Sequence, residues 1–404
     1  MKKTKIRDEQ KGWIFIAIII LIIVALVFFF AKSLKHNVVQ DELKENDIVR
    51  MLFVVQDSDE SILFSNVMIL DHKTNKGALV NLPGFTGSIY KSLGRTDRLD
   101  VIYSEKGIES FKTEVERLLS IQIPFYSVIS LDGFLQMSDY LGGMRVFIPE
   151  PVDYVDDDGL RWLLPSGSVN LDGDKLNIYL HYRMAEESEF DIQERYQNVM
   201  TAFISGLHEK KFTIFSKDNF KFYGKNIETN VKDKEEKILY QTVAEVDSES
   251  LIKQTISGSL RNVDGQVLLM PDNNGDLIKE ALKQTTSMLI STDGTVSSRV
   301  YVLEIQNGTT TNGLARNTSA LFQKANYDVL STLNADRNDY EKTIIIDHYG
   351  NEETARMVGE FIHCTNIIRP ETPEEIELYA TDTSVDFTII LGKDFNGRYV
   401  TGGR

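Results

Sequence analysis

An uninterrupted apolar run near the N-terminus constrains this chain more than any other feature. The run extends from Trp13 to Ala31 and contains no charged residue. At about 1.5 Å per residue, a helix of this length spans roughly 28 Å, close to the hydrocarbon thickness of a bilayer. A cleaved signal peptide is the alternative, but its apolar core is shorter and ends at a small-x-small site, whereas this run closes on Phe28-Phe29-Phe30-Ala31. The run therefore predicts a single uncleaved transmembrane helix at 13–31.

The charges on the two sides of this run predict its orientation. Cations are concentrated before it: Lys2, Lys3, Lys5, Arg7 and Lys11 precede the run, and only Lys32 and Lys35 follow closely. By the positive-inside rule, the N-terminus lies in the cytoplasm and everything after residue 31 lies outside. The chain is thus expected to be a single-pass protein of the inner (cytoplasmic) membrane.

The remainder of the chain is strongly acidic. The whole chain has 44 basic and 60 acidic residues. Without the five N-terminal cations and the acids Asp8 and Glu9, 39 basic and 58 acidic residues remain, a net charge of −19. Nucleic acids are polyanions, so this charge and this topology argue against a nucleic-acid partner.

Length and composition indicate ordered domains. The 404 residues have room for two or three domains, and an apolar content of 42% is enough to bury a normal core. The single cysteine, Cys364, excludes an internal disulfide framework and a cysteine-rich metal site.

Apolar segments of strand and helix length alternate in the first half of the chain. The predicted strands are 50–56, 66–71, 79–82, 128–131 and 144–148, and the predicted helices are 107–120 and 134–140. Strands that alternate with helices predict an α/β sandwich.

The clearest candidate binding residues lie between Pro165 and Leu207. The apolar-polar alternation from Leu176 to Arg183 predicts a strand, from which His181 and Arg183 emerge on the same side. A helix is predicted next, with Arg195 in its first turns. Its apolar stripe consists of Tyr196, Val199, Met200, Phe203 and Leu207. Cations from a strand end and a helix start suit a phosphate or pyrophosphate.

Several motifs in this region resemble those of the LytR-CpsA-Psr (LCP) family of bacterial cell-envelope proteins. The strand-to-helix signature of that family matches at Gly167, Leu171-Asp172-Gly173, Tyr179, Arg183 and Arg195. Two further family motifs correspond to LPGFTG at 82–87 and YLGGMRVFIP at 140–149. The resemblance implies an α/β sandwich with a central mixed sheet.

The resemblance also implies a function. LCP proteins hold a polyprenyl pyrophosphate lipid with arginines, bridge it to aspartates through Mg²⁺, and move its glycan phosphate to a peptidoglycan hydroxyl. The expected partners are therefore a polyprenyl-phosphate-linked glycan, peptidoglycan or another envelope polymer, and the bilayer around the N-terminal helix. Mg²⁺ is the expected cofactor.

Carried over to this sequence, the resemblance assigns pyrophosphate binding to Arg183 and Arg195, with His181 and Gln197 beside them. Arg95 or Arg98 is a further candidate, and Asp57 takes the place of the first metal-binding acid. Other family positions are substituted: His181 and Ile192 stand for arginines, Glu189 and Asn66 for aspartates, Tyr196 for a glutamine, and Gly84 and Phe85 for an arginine and an aspartate.

Each candidate also has a plain structural interpretation. Arg183 and Arg195 could pair with Glu186, Glu187 or Glu189 of the acidic loop between the predicted strand and helix. His181 could be a surface histidine. Asp57 lies in the acidic loop DSDES, and such loops are usually only solvated.

A second unit is predicted from Arg299 onward. Its predicted strands are 300–305, 327–333, 343–347 and 387–391, and its predicted helices are 314–325 and 352–362. This βαββαβ order indicates a small α+β domain, ferredoxin-like or a related sandwich. The segment VLEIQNGTTTNGLA at 302–315 resembles the start of the LytR C-terminal domain.

These observations predict the organisation of the whole chain. It comprises a cytoplasmic tail (1–12), a transmembrane helix (13–31), a stalk (32–48), an LCP-like domain (49–284), a linker (285–298), a LytR C-terminal-like domain (299–395) and a tail (396–404). The predicted function is that of a membrane-anchored LCP-type glycan phosphotransferase. The alternative, which the substituted arginine and aspartate positions favour, is a catalytically impaired LCP-like binding or scaffolding module of the envelope.

Overall fold

A computed structural model describes most of the chain after residue 36. It covers Leu21 and residues 37–401, except 157–158, 185–186, 217–218, 249–250, 291–300, 326, 349, 351, 371 and 373–384. The predicted tail 1–12 and, apart from Leu21, the predicted transmembrane helix 13–31 lie outside the described residues. None of the helices that are described has the length and apolarity needed to cross a bilayer.

The first unit contains fourteen strands and eight helices among the described residues. The strands are β1 (Ile48–Gln56), β2 (Ile62–Asp71), β3 (Lys76–Asn81), β4 (Gly87–Tyr90), β5 (Arg95–Arg98), β6 (Phe125–Ser130), β7 (Met144–Ile148), β8 (Val152–Val155), β9 (Arg161–Leu164), β10 (Gly167–Leu171), β11 (Ile227–Thr229), β12 (Ile252–Thr255), β13 (Gly258–Val263) and β14 (Gln266–Pro271). The helices are α1 (Val38–Glu45), α2 (Leu99–Leu119, kinked at Gly107), α3 (Leu131–Leu141), α4 (Gly173–His181), α5 (Glu189–Ile214), α6 (Phe220–Tyr223), α7 (Asp233–Ala244) and α8 (Asp276–Ile290).

A six-stranded mixed sheet forms the centre of this unit. Its strand order is β11-β6-β1-β2-β3-β12, with β1 antiparallel to β2 and parallel to β6. The middle strands are buried almost continuously, because apolar layers cover both faces of the sheet. Phe53, Phe134 and Phe203 pack in one layer, and Leu52 and Phe111 pack in the other. The predicted α/β fold with a central mixed sheet is confirmed.

The remaining strands of the first unit form four hairpin-like pairs outside the central sheet. These pairs are β4–β5, β7–β10, β8–β9 and β13–β14, all antiparallel. The predicted strand 144–148 is therefore present as β7, but it belongs to a separate two-stranded sheet.

The predicted helix with the apolar stripe is α5. All five stripe residues, Tyr196, Val199, Met200, Phe203 and Leu207, are buried. The helix begins at Glu189 because Ser188 and Asp191 form a capping box: the Asp191 N–H donates to Ser188 Oγ at 3.2 Å, and the Ser188 N–H donates to Asp191 Oδ2 at 2.9 Å.

The strand predicted from Leu176 to Arg183 is wrong. Residues 173–181 form helix α4, which begins after Asp172, whose side chain accepts a hydrogen bond from the Lys175 N–H at 3.1 Å. Leu176, Tyr179 and Leu180 are buried at helical spacing. His181 and Arg183 therefore lie at the C-terminal end of a helix and not along the face of a strand.

Two segments predicted as connections contain helices. In the predicted stalk, α1 packs on the first unit: Val39 is fully buried, and the Val38 N–H donates to Glu235 Oε1 at 2.8 Å. In the predicted linker 285–298, α8 continues to Ile290, and the rest of that linker lies outside the described residues.

The second unit is built on a five-stranded sheet with the order β16-β15-β19-β17-β18. Its elements are β15 (Val302–Asn307), α9 (Leu314–Lys324), β16 (Asp328–Asn334), β17 (Ile344–Asp347), α10 (Glu352–Phe361), β18 (Ile367–Ile368) and β19 (Phe387–Leu391). Every predicted helix and strand of this unit is found, together with the short additional strand β18. The sheet is largely parallel, since β15 runs parallel to both β16 and β19. The predicted ferredoxin-like arrangement, which is antiparallel, is therefore wrong.

The predicted tail after residue 395 packs against the second unit as far as it is described. Phe395 and Val400 form a β-bridge and are both buried. The Val400 N–H also donates to the Ile362 carbonyl at 2.8 Å, just beyond the end of α10.

Candidate functional site

The two predicted arginines meet at the C-terminal end of α4. Arg195 Nη1 donates to the Tyr179 carbonyl at 3.1 Å and also to the Tyr182 carbonyl. Arg183 Nη1 donates to the Leu180 carbonyl at 2.8 Å and to the same Tyr182 carbonyl at 2.9 Å. The last carbonyls of a helix lack intrahelical partners and carry partial negative charge. The two guanidinium groups therefore converge as expected, but they do so by capping a helix.

The guanidinium group of Arg195 forms an ion pair with a buried carboxylate. Its Nη2 donates to Glu187 Oε1, and its guanidinium lies 5.1 Å from the centre of the Tyr179 ring. The side chains of Arg195 and Glu187 are only 6% and 3% exposed. The structural alternative, pairing across the acidic loop, is thus what the structure shows for Arg195. Its charge is neutralised inside the protein.

Arg183 is exposed and is held by a tyrosine. Its Nη2 donates to the Tyr196 hydroxyl at 2.8 Å, and the Tyr196 ring stacks on Phe64 with centroids 5.2 Å apart. Burial raises the pKa of Tyr196, and the nearby Arg183 opposes that rise. Tyr196 therefore remains a neutral hydroxyl that orients Arg183. This role was not predicted from the sequence, where Tyr196 was counted in the apolar stripe and was noted as standing for a glutamine of the family motif.

A cavity of about 750 Å³ lies beside Arg195. Among the described residues that line it, four are carboxylates: Glu150, Glu187, Asp191 and Glu194. The other lining residues are Ile148, Pro149, Val152, Tyr179, Tyr182, Met184, Arg195 and Asn198. Among these residues, one guanidinium that is already paired faces four acids. The electrostatic potential in the cavity is therefore negative and disfavours the binding of a pyrophosphate.

His181 and Asp57 come together at one edge of this region. His181 Nε2 lies 3.5 Å from Asp57 Oδ2, and its Nδ1 is 3.0 Å from the Asn177 carbonyl. Asp57 Oδ1 accepts a hydrogen bond from the Ser58 N–H at 2.7 Å. The end of β1 and the end of α4 are thereby joined by a contact between two side chains that were both predicted as site residues.

The side chain of Gln197 bonds to the central sheet and not to the arginine pair. Its Nε2 donates to the Leu79 carbonyl at 3.1 Å and to the Gln254 carbonyl at 2.9 Å. These carbonyls belong to the neighbouring strands β3 and β12, so Gln197 ties α5 to the edge of the central sheet.

Comparison with known families identifies the first unit. The LytR_cpsA_psr family model matches residues 66–284. The chain belongs to the LytR-CpsA-Psr family. A second family model, described as LytR cell envelope-related transcriptional attenuator, matches residues 300–395, so the LCP unit is followed by a LytR C-terminal domain.

Curated relatives of this LCP protein are teichoic acid transferases. The polyisoprenyl-teichoic acid–peptidoglycan teichoic acid transferase TagU of Bacillus mycoides is 27% identical over 173 residues, which cover 41% of this chain and 53% of TagU. TagV of Bacillus subtilis, named for the same transfer, is 23% identical over 198 residues, covering 48% of this chain and 51% of TagV. The match therefore spans about half the length of these relatives.

Solved structures share the LCP fold. The crystal structure of TagV from B. subtilis aligns with a TM-score of 0.50 at 22% identity, covering 60% of this chain and 98% of TagV. A structure of TagT bound to LI-WTA aligns with a TM-score of 0.51 at 17% identity, covering 60% of this chain and 92% of TagT.

In the LPGFTG segment of this LCP unit, the Asp100 side chain fills the space beside Gly84, where the family has an arginine. A Cβ atom on Gly84 would lie 2.5 Å from Asp100 Oδ2. Asp100 is in turn held by Arg98, whose Nε donates to Asp100 Oδ1 at 2.9 Å. The next residue, Phe85, is buried in the core. Arg95 pairs with Asp97 at 2.7 Å, so Arg95 and Arg98 are both held by neighbouring carboxylates.

The position of the family's second metal-binding acid holds a buried amide. Asn66 is 0% exposed, and neither of its side-chain polar atoms has a hydrogen-bond partner among the described residues. It lies opposite Asn81 in the sheet, and Asn81 Nδ2 donates to Gln193 Oε1 at 3.1 Å. This position is therefore occupied by neutral carboxamides.

The two positions at which the resemblance places Mg²⁺ ligands supply one carboxylate between them, that of Asp57. This ion prefers an octahedral shell of hard oxygen ligands with at least one or two carboxylates. Within the described part of the chain, no group of three His, Cys, Asp or Glu side chains converges on a common point. Asp57 faces a histidine, and Asn66 supplies no negative charge.

Proposed function

We propose that this LCP protein serves in cell-envelope assembly as a binding or scaffolding module that does not itself transfer glycan phosphate. Its relatives are named as transferases between polyisoprenyl-linked teichoic acid and peptidoglycan, which supports an envelope polymer as its partner. The observation that carries the proposal is the closed Arg195–Glu187 pair at the place where an LCP enzyme needs a free cation.

The energetics of that pair support the proposal. To bind a pyrophosphate, Arg195 would have to leave Glu187, and a carboxylate that is 3% exposed would remain unpaired. Breaking one partner out of a buried ion pair costs about 3–5 kcal/mol. Arg183 alone remains exposed, and a single cation binds a multiply charged group weakly.

The proposed location follows from the sequence. The predicted helix at 13–31 would anchor the chain in the cytoplasmic membrane with its N-terminus inside. The LCP unit and the LytR C-terminal domain would then face the envelope, within reach of lipid-linked glycans and of peptidoglycan.

A transfer assay tests the proposal. The full chain in lipid nanodiscs is incubated with a labelled polyprenyl-pyrophosphate-linked glycan, peptidoglycan and Mg²⁺, beside TagU as the active comparison. We expect product at the level of the protein-free control, with no difference between the wild type and Arg195→Ala. Product above that level in the wild type would refute the proposal.

A binding measurement tests its physical basis. Glu187→Gln keeps the shape of the partner but removes its charge, whereas Glu194→Gln removes a lining charge that is not bonded to Arg195. Titration calorimetry with inorganic pyrophosphate is expected to detect no binding by the wild type or by Glu194→Gln, and binding by Glu187→Gln. Tight binding by the wild type would contradict the closed-pair explanation.

One observation favours transferase activity as a second candidate. The guanidinium groups of Arg183 and Arg195 share the Tyr182 carbonyl beside a cavity with an apolar wall formed by residues such as Ile148 and Val152. If the envelope partner displaces Glu187, two cations would face one phosphate group. The same transfer assay distinguishes the two candidates.

A further inference from the structure

The LytR C-terminal domain has a polar groove at the carboxyl ends of two parallel strands. β15 ends at Asn307 and β16 ends at Asn334, and these two asparagines are register partners. The loops that follow the two strands enclose an open groove of about 550 Å³. This volume is typical of small-ligand sites.

The floor of the groove is held by hydrogen bonds within one loop. Asn307 Oδ1 accepts hydrogen bonds from the Thr309 N–H at 3.0 Å and from Thr309 Oγ1 at 2.9 Å, and Asn307 Nδ2 donates to the Thr311 carbonyl at 2.8 Å. Gly308 fits beneath this loop because a Cβ atom there would lie 2.7 Å from both the Leu391 carbonyl and the Tyr340 ring. A wall held in this way loses little conformational entropy when a ligand binds.

The rim of the groove is exposed and has unused hydrogen-bonding groups. Thr310, Asn312 and Asn338 line it, and their side chains make no hydrogen bond within the described part of the chain. A carboxamide presents two donors and an acceptor, and a hydroxyl presents both functions. The rim therefore offers a dense set of neutral donors and acceptors to a ligand.

The charge of the groove is balanced. Its lining contains one acid, Asp336, and one base, Arg337. Arg337 lies 4.3 Å from the centre of the Tyr340 ring, and the Tyr340 hydroxyl donates to Asp336 Oδ1 at 2.7 Å. Phosphate recognition needs several converging cations, and the described lining of this groove has only Arg337.

We infer that this groove binds a neutral saccharide. A sugar ring carries several hydroxyl groups that act as donors and acceptors, and it matches a surface of amides and threonine hydroxyls better than an ionic or an apolar ligand does. The groove is thus a second binding site, in the LytR C-terminal domain, and it is separate from the arginine pair of the LCP unit. Its occupant is an uncharged stretch of an envelope glycan.

Saturation-transfer NMR on the full chain in nanodiscs tests this inference with chitotetraose and maltotetraose as probes. At least one of the two is expected to bind the wild type. The double variant Asn312→Ala/Asn338→Ala is expected to bind it roughly tenfold or more weakly, because two hydrogen-bonding amides are removed. Asn317→Ala, an exposed asparagine on α9 that does not line the groove, is the matched control and is expected to bind as the wild type does.

Three results would overturn the inference. They are binding of neither probe at about 10 mM, where weak saccharide sites are occupied, equal binding by the wild type and the double variant, and displacement of the bound probe by inorganic pyrophosphate. The thermal unfolding midpoint of the double variant is measured beside the titration and is expected to equal that of the wild type, because both side chains are exposed. These results do not depend on whether the LCP unit transfers phosphate.

Discussion

The arginine pair of the LCP unit and the polar groove of the C-terminal domain differ in what their polar groups contact. In the arginine pair these groups bond to the protein itself, and on the rim of the groove they are exposed. At the end of α4, Arg195 is turned inward to Glu187 and to backbone carbonyls. At the ends of β15 and β16, the inner amide of Asn307 holds the loop while Asn312 and Asn338 remain exposed. A residue is therefore available to a ligand only when the rest of the chain leaves its polar groups unpaired, and its type alone does not show this.

The largest effect is expected from Arg195→Ala. This change leaves the buried Glu187 carboxylate and the Tyr179 carbonyl without their partner, so the free energy of unfolding should fall by about 3–5 kcal/mol. Urea denaturation followed by circular dichroism measures it. The double variant Arg195→Met/Glu187→Met removes both charges and is expected to recover most of the loss. A decrease below about 1 kcal/mol would mean that the pair opens easily and that Arg195 is available to a ligand.

In the C-terminal domain, Gly308→Ala beneath the polar groove is expected to have the next largest effect on stability. The added methyl group would meet the Leu391 carbonyl and the Tyr340 ring at 2.7 Å, and overpacking of this kind costs about 1–3 kcal/mol. Thermal unfolding is the measurement. Thr310→Ala, on the same loop but exposed, is the control and should change stability by less than about 0.5 kcal/mol. If both variants unfold like the wild type, the floor of the groove is not closely packed.

Arg183→Ala shows whether the two arginines of the pair contribute differently to stability. Arg183 is exposed, and water replaces it at the Leu180 and Tyr182 carbonyls, so a loss of only about 0.5–1.5 kcal/mol is expected. The same urea experiment gives the value. A loss as large as that of Arg195→Ala would show that exposure does not distinguish the two residues.

The smallest effect is expected on Cys364, the only cysteine of the chain, whose reactivity in the native protein should be unchanged by Arg195→Ala. Cys364 is 4% exposed within the second unit, and burial raises the pKa of its thiol. The protonated thiol is a poor nucleophile, so native protein should react with Ellman's reagent far more slowly than protein in denaturant at the same pH. Arg195→Ala should not accelerate the reaction of the native protein. Faster labelling in that variant would show that the LCP pair also stabilises the C-terminal domain.

The sequence predicted the second unit better than the first. In the second unit, each apolar run is bounded by turn residues such as Asn307-Gly308, and every predicted helix and strand is present. The hairpins β4–β5, β8–β9 and β13–β14 of the first unit were not predicted. Their residues are largely polar or exposed, so they carry little of the burial signal on which such predictions depend.

The misassigned segment shows why local patterns are ambiguous. Leu176, Ile178 and Leu180 alternate as in a strand, but Leu176, Tyr179 and Leu180 also have helical spacing. Asp172 was the signal that favours a helix, since its side chain caps the first turn of α4. The error moved His181 and Arg183 from a strand face to the end of a helix.

The α/β alternation, the buried stripe of α5 and the position of both arginines in one short region follow from the spacing of neighbouring residues, so the sequence was enough to predict them. The partners of the two arginines depend on the folded structure. Glu150 reaches the cavity from a distant segment, Asp100 occupies the space beside Gly84, and Glu187 lies close enough to neutralise Arg195. The electrostatic potential at a site is the sum over all charges that the fold brings near it, and residue spacing along the chain does not specify that sum.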